Sequence, residues 1–367
     1  MKNDTLIPVS TLERFMRAVF TALGVPSEDA AVAAEVLIAS DLRGIESHGV
    51  SRLKYYYDRI VAGVQQVRTQ FEVVRESETT ALVDGHHGMG QVIAKRAMSM
   101  AIEKAREHGL GAVAVRNGAH FGIAGYYSLM AAEEGMIGLA VTNARPSTAP
   151  TFGVEPMLGT NPIAFAAPSD MDFPFSFDGA TSIVQRGKLE VYARTGKPLN
   201  SGWMIDRQGE PVTDPKAGLA GLDKASAALL PLGGTGEEEG GYKGYDLATM
   251  VEILSASLAG GPFLKGLLGV AEDGSRRPNM LGHFFLAIDI SRFLPLEDSK
   301  ATTGGILRAL QQAAKAPGEE RIFVAGEKEH ESIQRRLAEG VPLNEGLRGE
   351  LRQMAEALQI SGYEAYF

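Results

Sequence analysis

The stretch DLRGIESHGVSRL, residues 41–53, sets His48 four residues before Arg52, with Ser47 just ahead of both. A serine there can cap a helix, which would put the two side chains on one face. Free backbone N–H groups at a helix start favour an anion. A guanidinium beside them can grip a carboxylate through two parallel hydrogen bonds, and an imidazole exchanges a proton at neutral pH. The set suits a small carboxylic acid with a reactive neighbouring carbon. The plainer reading is an ordinary cap with a surface histidine and arginine.

Later segments could complete such a site. RNGAHFG, residues 116–122, joins an expected strand to an expected helix. Open α/β sheets gather ligands at the carboxyl ends of strands, so His120 stands where a site is expected; a loop histidine bonded to backbone is the even alternative. LGTNPIAFAAP (158–168) and FDGATS (177–182) each set small polar residues beside a short apolar strand. A buried Asp178 could orient a histidine or set its proton affinity, or it could occupy a strand-end turn, which Asp and Gly both favour. GGYKGYDLA (240–248) opens a helix, and its glycines would let backbone approach a ligand while Lys243 meets a phosphate or carboxylate. A helix-initiating glycine turn is the alternative there, and the segment does not match the P-loop pattern.

Other chemistries are excluded or weak. No G-x-G-x-x-G occurs, so a dinucleotide, if bound, is not held by the Rossmann fingerprint. With no cysteine, there is no thiol nucleophile, disulfide or thiolate metal site. DGHHG offers Asp84, His86 and His87 to a metal, but adjacent histidines in a strand would face opposite ways, and no metal is expected. The formal charge of −9, from 45 acids and 36 bases, argues against generic nucleic-acid binding. No run reaches the roughly 20 apolar residues of a bilayer helix, and MKNDTLIPVS does not read as a signal peptide. The expected location is cytoplasmic.

These residues need elements to hold them. The 367 residues, 44% hydrophobic and 22% charged, describe a globular protein larger than one modest core. Ser10 and Glu13 have capping-box spacing ahead of a helix with Leu12, Phe15, Met16, Val19, Phe20 and Leu23 on one stripe, closed by Gly24 and Pro26. Ser27 would cap a second helix over 28–42. A third would begin at Ser47, with Val50, Leu53, Tyr57, Ile60 and Val61 as its stripe. Strands over 79–83, 112–115 and 137–142 then alternate with helices over 92–107 and 123–134, which indicates α/β architecture. Short strands are expected at 163–167, 175–177, 202–205 and 284–288, and helices at 245–258, 305–314, 329–338 and 344–358. Residues 1–75 and 305–367 are expected to form a helical lobe, 76–142 and 241–304 an α/β region, and 143–240 a strand- and loop-rich cofactor-binding region. Of 43 glycines, many fall beside the candidate residues, as if backbone came close to a ligand at several separate loops.

Taken in order, DLRGIESHGVSRL, HHGMGQVIAKRAM, RNGAHFGIAGYY, EEGMIGLAVTN, LGTNPIAFAAP, FDGATS and GGYKGYDLA resemble the malate/L-lactate dehydrogenase family of the non-Rossmann type, across residues 41–258. The resemblance implies a central mixed-sheet α/β fold flanked by a helical lobe from both termini. It also implies an NAD- or NADP-dependent oxidoreductase, usually a homodimer. His48 then resembles the proton donor and acceptor, Arg52 the residue that holds the substrate carboxylate beside Ser47, and His120 an acid/base of some members. Asp178 matches the aspartate of the family's Leu-Asp-Met-Ala-Thr-Ser segment. The resemblance puts Thr160, Asn161, Pro162, Asp178, Thr181, Ser182, Lys243 and Gly244 around the cofactor, together with Gly326 and Glu327 of a later turn. Ala119, Gly179 and Ala325 depart from the family's usual residues without removing a reacting group.

The expected reaction is reversible hydride transfer between a nicotinamide and C2 of a small 2-oxo or 2-hydroxy acid. Arg52 would fix the carboxylate, and His48 would exchange the alkoxide proton. His120 would assist, and Asp178 would bias a histidine's tautomer. Reduction of a cyclic imino acid is the nearest alternative. A non-catalytic cofactor-binding protein and a metal hydrolase built on His86 and His87 are more distant ones.

Overall fold

The computed structural model describes residues 4–271 and 273–367. The chain opens with β1 (Thr5–Ile7), α1 (Val9–Ala22), α2 (Ser27–Leu42) and, after a 3₁₀ turn at Val50–Arg52, α3 (Leu53–Val61). The expected stripe of α1 is real: Leu12, Phe15, Met16, Val19 and Phe20 are all fully buried. Each aromatic or aliphatic side chain so buried stabilises by about 1.5–3 kcal/mol. Their partners come from Ala30, Ala33, Ala34 and Leu37 of α2, from Leu53 and Tyr56 of α3, and from the far end of the chain.

The expected caps are not used. Pro8 and Pro26 stand at the N-cap positions of α1 and α2, and neither helix has a side-chain cap. Proline has its φ pre-set, so α1 starts two residues and α2 one residue earlier than the serine caps would place them. Ser27 instead accepts from Arg17. The third helix starts six residues after Ser47, and its buried tyrosine is Tyr56, one residue off the expected stripe.

The middle of the chain is one twisted sheet. Its strands are β2 (Glu72–Glu76), β3 (Thr80–Asp84), β4 (Leu110–Gly118), β5 (Met136–Thr142), β6 (Ile163–Ala167) and β7 (Phe175–Gly179), with α4 (Gly90–His108) after β3 and α5 (Ala124–Glu133) after β4. Next come α6 (Arg186–Thr195), β8 (Met204–Asp206), α7 (Pro215–Asp223), β9 (Ala227–Leu229) and α8 (Gly241–Glu252). The last elements are β10 (Leu281–Asp289), α9 (Leu296–Gln311), α10 (Glu327–Glu339), β11 (Val341–Leu343) and α11 (Glu345–Ala357). The seven-stranded order is β2-β3-β4-β10-β5-β6-β7. Only β3 and β4 run parallel; every other neighbouring pair is antiparallel. The sheet is therefore mixed, as expected.

Small residues bring α4 and α5 close to this sheet. Ala94, Ala97, Ala101 and Ala105 line the buried face of α4 against Val83, Val113 and Val115. A Cβ at Gly111 or Gly138 would overlap the backbone of α4 or α5, so these strand positions need glycine. At the two ends of the chain β1 pairs antiparallel with β11, and Leu351, Met354 and Phe367 join the core of α1 and α2. Side chains from both ends of the chain thus share one core. Leu189, Leu199, Met204, Ala227 and Leu229 give the α6–β9 segment a small core of its own.

Candidate active site

The loop after α2 carries Ser47, His48 and Arg52. It is pinned from below by Asp41, which is 1% exposed and whose Oδ2 accepts the Val50 N–H at 2.8 Å. The Ser40 hydroxyl donates to the Ile45 carbonyl at 2.8 Å. Buried Arg336 of α10 donates to the Asp41 carbonyl and to the Glu46 carboxylate. A Cβ on Gly49 would overlap the Asp41 carboxyl, so the close approach depends on that glycine. The cap of the 50–52 turn is thus supplied by Asp41, not by Ser47.

His48 and Arg52 do not lie on one helix face as the sequence suggests, yet the turn brings both to one cavity. Ser47 Oγ lies 2.8 Å from His48 Nδ1, and Arg52 Nε donates to the Ser47 carbonyl at 2.7 Å. Among the described residues the terminal nitrogens of Arg52 have no hydrogen-bond partner, and no carboxylate pairs with them. His120, in the loop from β4 to α5, lies across from His48 with the rings nearly parallel, 19° apart, and their centres separated by 5.6 Å. Its Nδ1 is 2.6 Å from the Tyr56 hydroxyl. Tyr55 meets the His120 ring edge-on. A cavity of about 170 Å³ opens between His48, Arg52, Tyr55, His120, Thr160 and Arg186.

Burial pushes His48 down to about 4, with the Arg52 charge adding to it. Burial also holds His120 well below its ordinary value, and His48 and Arg52 act in the same direction. Both rings are neutral at pH 7.

Asp178 stands elsewhere. It is on edge strand β7, and its Oδ2 accepts the Gly125 N–H at the start of α5 at 2.7 Å. No described contact joins it to a histidine, so the expected tautomer-setting role has no bond behind it in this chain. Desolvation pushes its carboxyl up to about 6, partly offset by the Gly125 N–H. Gly326 caps α10 with φ at +95°, and a Cβ there would overlap the Pro174 carbonyl. Glu327 is buried and takes an ion pair from Arg321 and the Val324 N–H.

Several residues expected around a cofactor spend their side chains on the frame. Buried Asn161 donates to the Ala248 carbonyl and to Glu252 and accepts the Ala144 N–H. Thr181 donates to the carbonyls of Thr160 and Asn161, and Ser182 to that of Val184. These bonds leave no side-chain donor of Asn161, Thr181 or Ser182 for a ligand; Pro162 leads into β6. Gly244 is needed because a Cβ would overlap Leu232 backbone. Lys243 differs: it is exposed, and among the described residues its ammonium pairs with no carboxylate. It follows Gly233, Gly234, Gly236 and Gly240, all at positive φ. A free ammonium beside a glycine-rich helix start has the chemistry to meet the phosphates of a dinucleotide.

His86 and His87 are in a turn after β3, at φ of +46° and +60°, rather than in a strand. His86 Nε2 lies 2.7 Å from Glu72, while Asp84 takes Arg116 and Asn117. Among the described residues no group of three His, Asp or Glu is placed to hold a metal.

Sequence reasoning missed Asp41, Tyr56 and Arg186. Leu53 and Tyr56, three apart, carried a signal for the second of these. Asp41 and Arg186 were missed because what they do depends on how the loop and α6 fold against the cavity.

Residues 7–352 match the sequence profile of the malate/L-lactate dehydrogenase family. A malate dehydrogenase of Pyrococcus horikoshii is 46% identical over 361 residues, covering 98% of each chain. A (2R)-3-sulfolactate dehydrogenase (NADP(+)) of Chromohalobacter salexigens is 34% identical and covers 95% of this chain and 98% of its own length. The crystal structure of malate dehydrogenase from Entamoeba histolytica superposes with a TM-score of 0.95 at 43% identity, covering 98% of this chain and 99% of the other.

Proposed function

The chain belongs to the malate/L-lactate dehydrogenase family, and from that premise we propose that it interconverts a malate-like 2-hydroxy acid and its 2-oxo acid at the His48–His120 cavity. It is an NAD(P)-dependent oxidoreductase of 2-hydroxy acids. The observation that carries the site assignment is Arg52: a cavity-lining guanidinium, held by its Nε, with its terminal nitrogens free of partners among the described residues. Such a fork matches one carboxylate. A carboxylate there sets C2 and its oxygen against His48 and His120.

A nicotinamide held there would supply or accept the hydride. The residues of this chain orient the acid, exclude water and handle the proton at the 2-oxygen. Lys243 and the glycines before it are the proposed hold on the cofactor phosphates. Asp178, Gly326 and Glu327, with the backbone of Thr160, Pro162, Thr181 and Ser182, are proposed to shape the rest of its groove. Arg186 lines the same cavity, but Glu190 and Asp223 already take its Nε and terminal nitrogens, so it bounds the cavity without a free fork.

The test is a panel of malate, lactate, 3-sulfolactate, ureidoglycolate and a cyclic imino acid, each with NAD(P)(H) of both kinds. Highest kcat/KM on malate or 3-sulfolactate is expected. Preference for lactate or the cyclic imine overturns the substrate assignment.

We also propose a cytoplasmic homodimer. Met250, Ile253, Leu258 and Phe263 leave an apolar face exposed along α8 and beyond it. A cavity of about 530 Å³ beside Pro150 and Met157 continues that face. Exposed apolar patches of this kind mark protein interfaces. Sedimentation that finds only a single chain at micromolar concentration would remove this part.

A further inference from the structure

We propose that Tyr56 is a positioning residue that fixes His120 in its Nε2–H tautomer, making that ring a neutral hydrogen-bond donor to the substrate's 2-oxygen. The inference rests on the function proposed above for its meaning, though not for its geometry.

Tyr56 is fully buried on α3, and its hydroxyl is 2.6 Å from His120 Nδ1. Either atom of that pair could in principle carry the proton. Two facts decide. The Gly122 backbone N–H also points at Nδ1, 3.4 Å away, and a backbone N–H only donates. A proton on Nδ1 would face that N–H and would leave the Tyr56 hydroxyl proton with no acceptor among the described residues. A buried donor without an acceptor is strongly disfavoured. Tyr56 stays protonated, because burial raises its pKa, with Tyr55 adding to it. Nδ1 is therefore the acceptor, and the ring's one proton sits on Nε2.

Nε2 lies across the ring from Tyr56. It has no protein partner among the described residues, and His120 lines the cavity. The Nε2–H is thus left for a ligand. This gives the two histidines different tasks. His120 holds and polarises the 2-oxygen without changing charge, and His48, backed by the Ser47 hydroxyl, exchanges the proton.

The experiment is long-range ¹H–¹⁵N spectroscopy of histidine-labelled protein at pH 7, with His120→Gln to assign the signal, together with steady-state kinetics of Tyr56→Phe. In the wild type His120 should give the pattern of a neutral ring protonated at Nε2. Tyr56→Phe should shift it toward a tautomer mixture. It should also lower kcat on the best 2-oxo acid about ten-fold or more, with the KM for that acid within about two-fold of wild type. A wild-type His120 protonated at Nδ1, or charged at pH 7, overturns the proposal. So does a folded Tyr56→Phe with unchanged tautomer and unchanged kcat. If Tyr56→Phe does not fold, the wild-type spectrum still decides. If no acid of the panel turns over, the functional reading fails while the spectrum continues to test the role of Tyr56.

Discussion

At the scale of the residue, the site separates groups that act by charge from groups that act by being neutral. Arg52 is the cation, and its value lies in a fork that a lysine lacks. Arg52→Lys is expected to raise the KM for the 2-oxo acid and lower kcat/KM by about 10- to 100-fold, the equivalent of about 1.5–3 kcal/mol for charged hydrogen bonds. The dissociation constant of the cofactor should stay near wild type. Unchanged kcat/KM would remove Arg52 from the substrate. His48→Gln keeps a polar side chain but cannot exchange the proton. Its kcat should fall about 10²- to 10⁴-fold in both directions, and near-wild-type turnover would give the proton to another group. These proposed residues were legible in the sequence as candidates through their types and spacing, and their roles through the family resemblance. Tyr56 was not, because its meaning depends on a bond to a residue 64 positions away. Asp178 was legible as a matched residue, but its bond to Gly125 depends on how β7 and α5 meet.

At the scale of the element, the decisive joint is where the end of α2 meets the loop that carries His48 and Arg52. Asp41 caps the 50–52 turn from outside, Gly49 leaves room for it, and Arg336 of α10 ties the same corner. Asp41→Ala would leave the buried Val50 N–H without an acceptor, at a cost of about 1–3 kcal/mol. It should also loosen His48 and so reduce kcat. Asp41→Asn keeps an acceptor, so most of the stability should return. Chemical denaturation of both variants checks this; equal loss in the two would mean that charge, not the hydrogen bond, is what counts. The sequence showed these helices through apolar periodicity, but not their ends. Ser10, Ser27 and Ser47 look like caps, yet prolines and a distant aspartate take that place. The expected helix over 245–258 is real but passes into a π-turn at Ile253–Ser257. There Gly282 of β10 lies against the Ser255 backbone, so tightly that a Cβ would overlap it. Period alone cannot show such a widening, because it arises where a strand presses on the helix.

At the scale of the whole molecule, the buried titratable groups set how stability depends on pH. His48 and His120 are held low, and His283 is pushed down to about 3. His283 is fully buried and stacked on Phe121, with its Nδ1 2.7 Å from the Thr142 hydroxyl. Unfolded histidine takes up its proton near pH 6.5. Between about pH 6.5 and 4 the unfolded chain therefore binds more protons than the native one, and stability falls as pH falls. Asp41 works in the opposite sense. Burial raises it to about 7, so between the ordinary carboxylate value and 7 the native state holds the extra proton, and stability falls as pH rises. Asp178 shares that sign to a smaller degree. Carboxylates held low, such as Asp84, whose burial is outweighed by Asn117, the His86 N–H and Arg116, act only in more acid solution. Three histidines outweigh the two aspartates between pH 4.5 and 6. Unfolded histidine is still half protonated at pH 6.5, so stability keeps rising until, above about pH 7, the Asp41 proton balances what is left of it. The melting temperature should therefore climb from pH 4.5 to about 7 and then level towards pH 7.5. Asp41→Asn should steepen that climb. A melting temperature that is flat, or that rises on acidification from 6.5 to 4.5, would mean that these rings are not held neutral in the native state. The assignment of His120 as a neutral donor would then lose its electrostatic support.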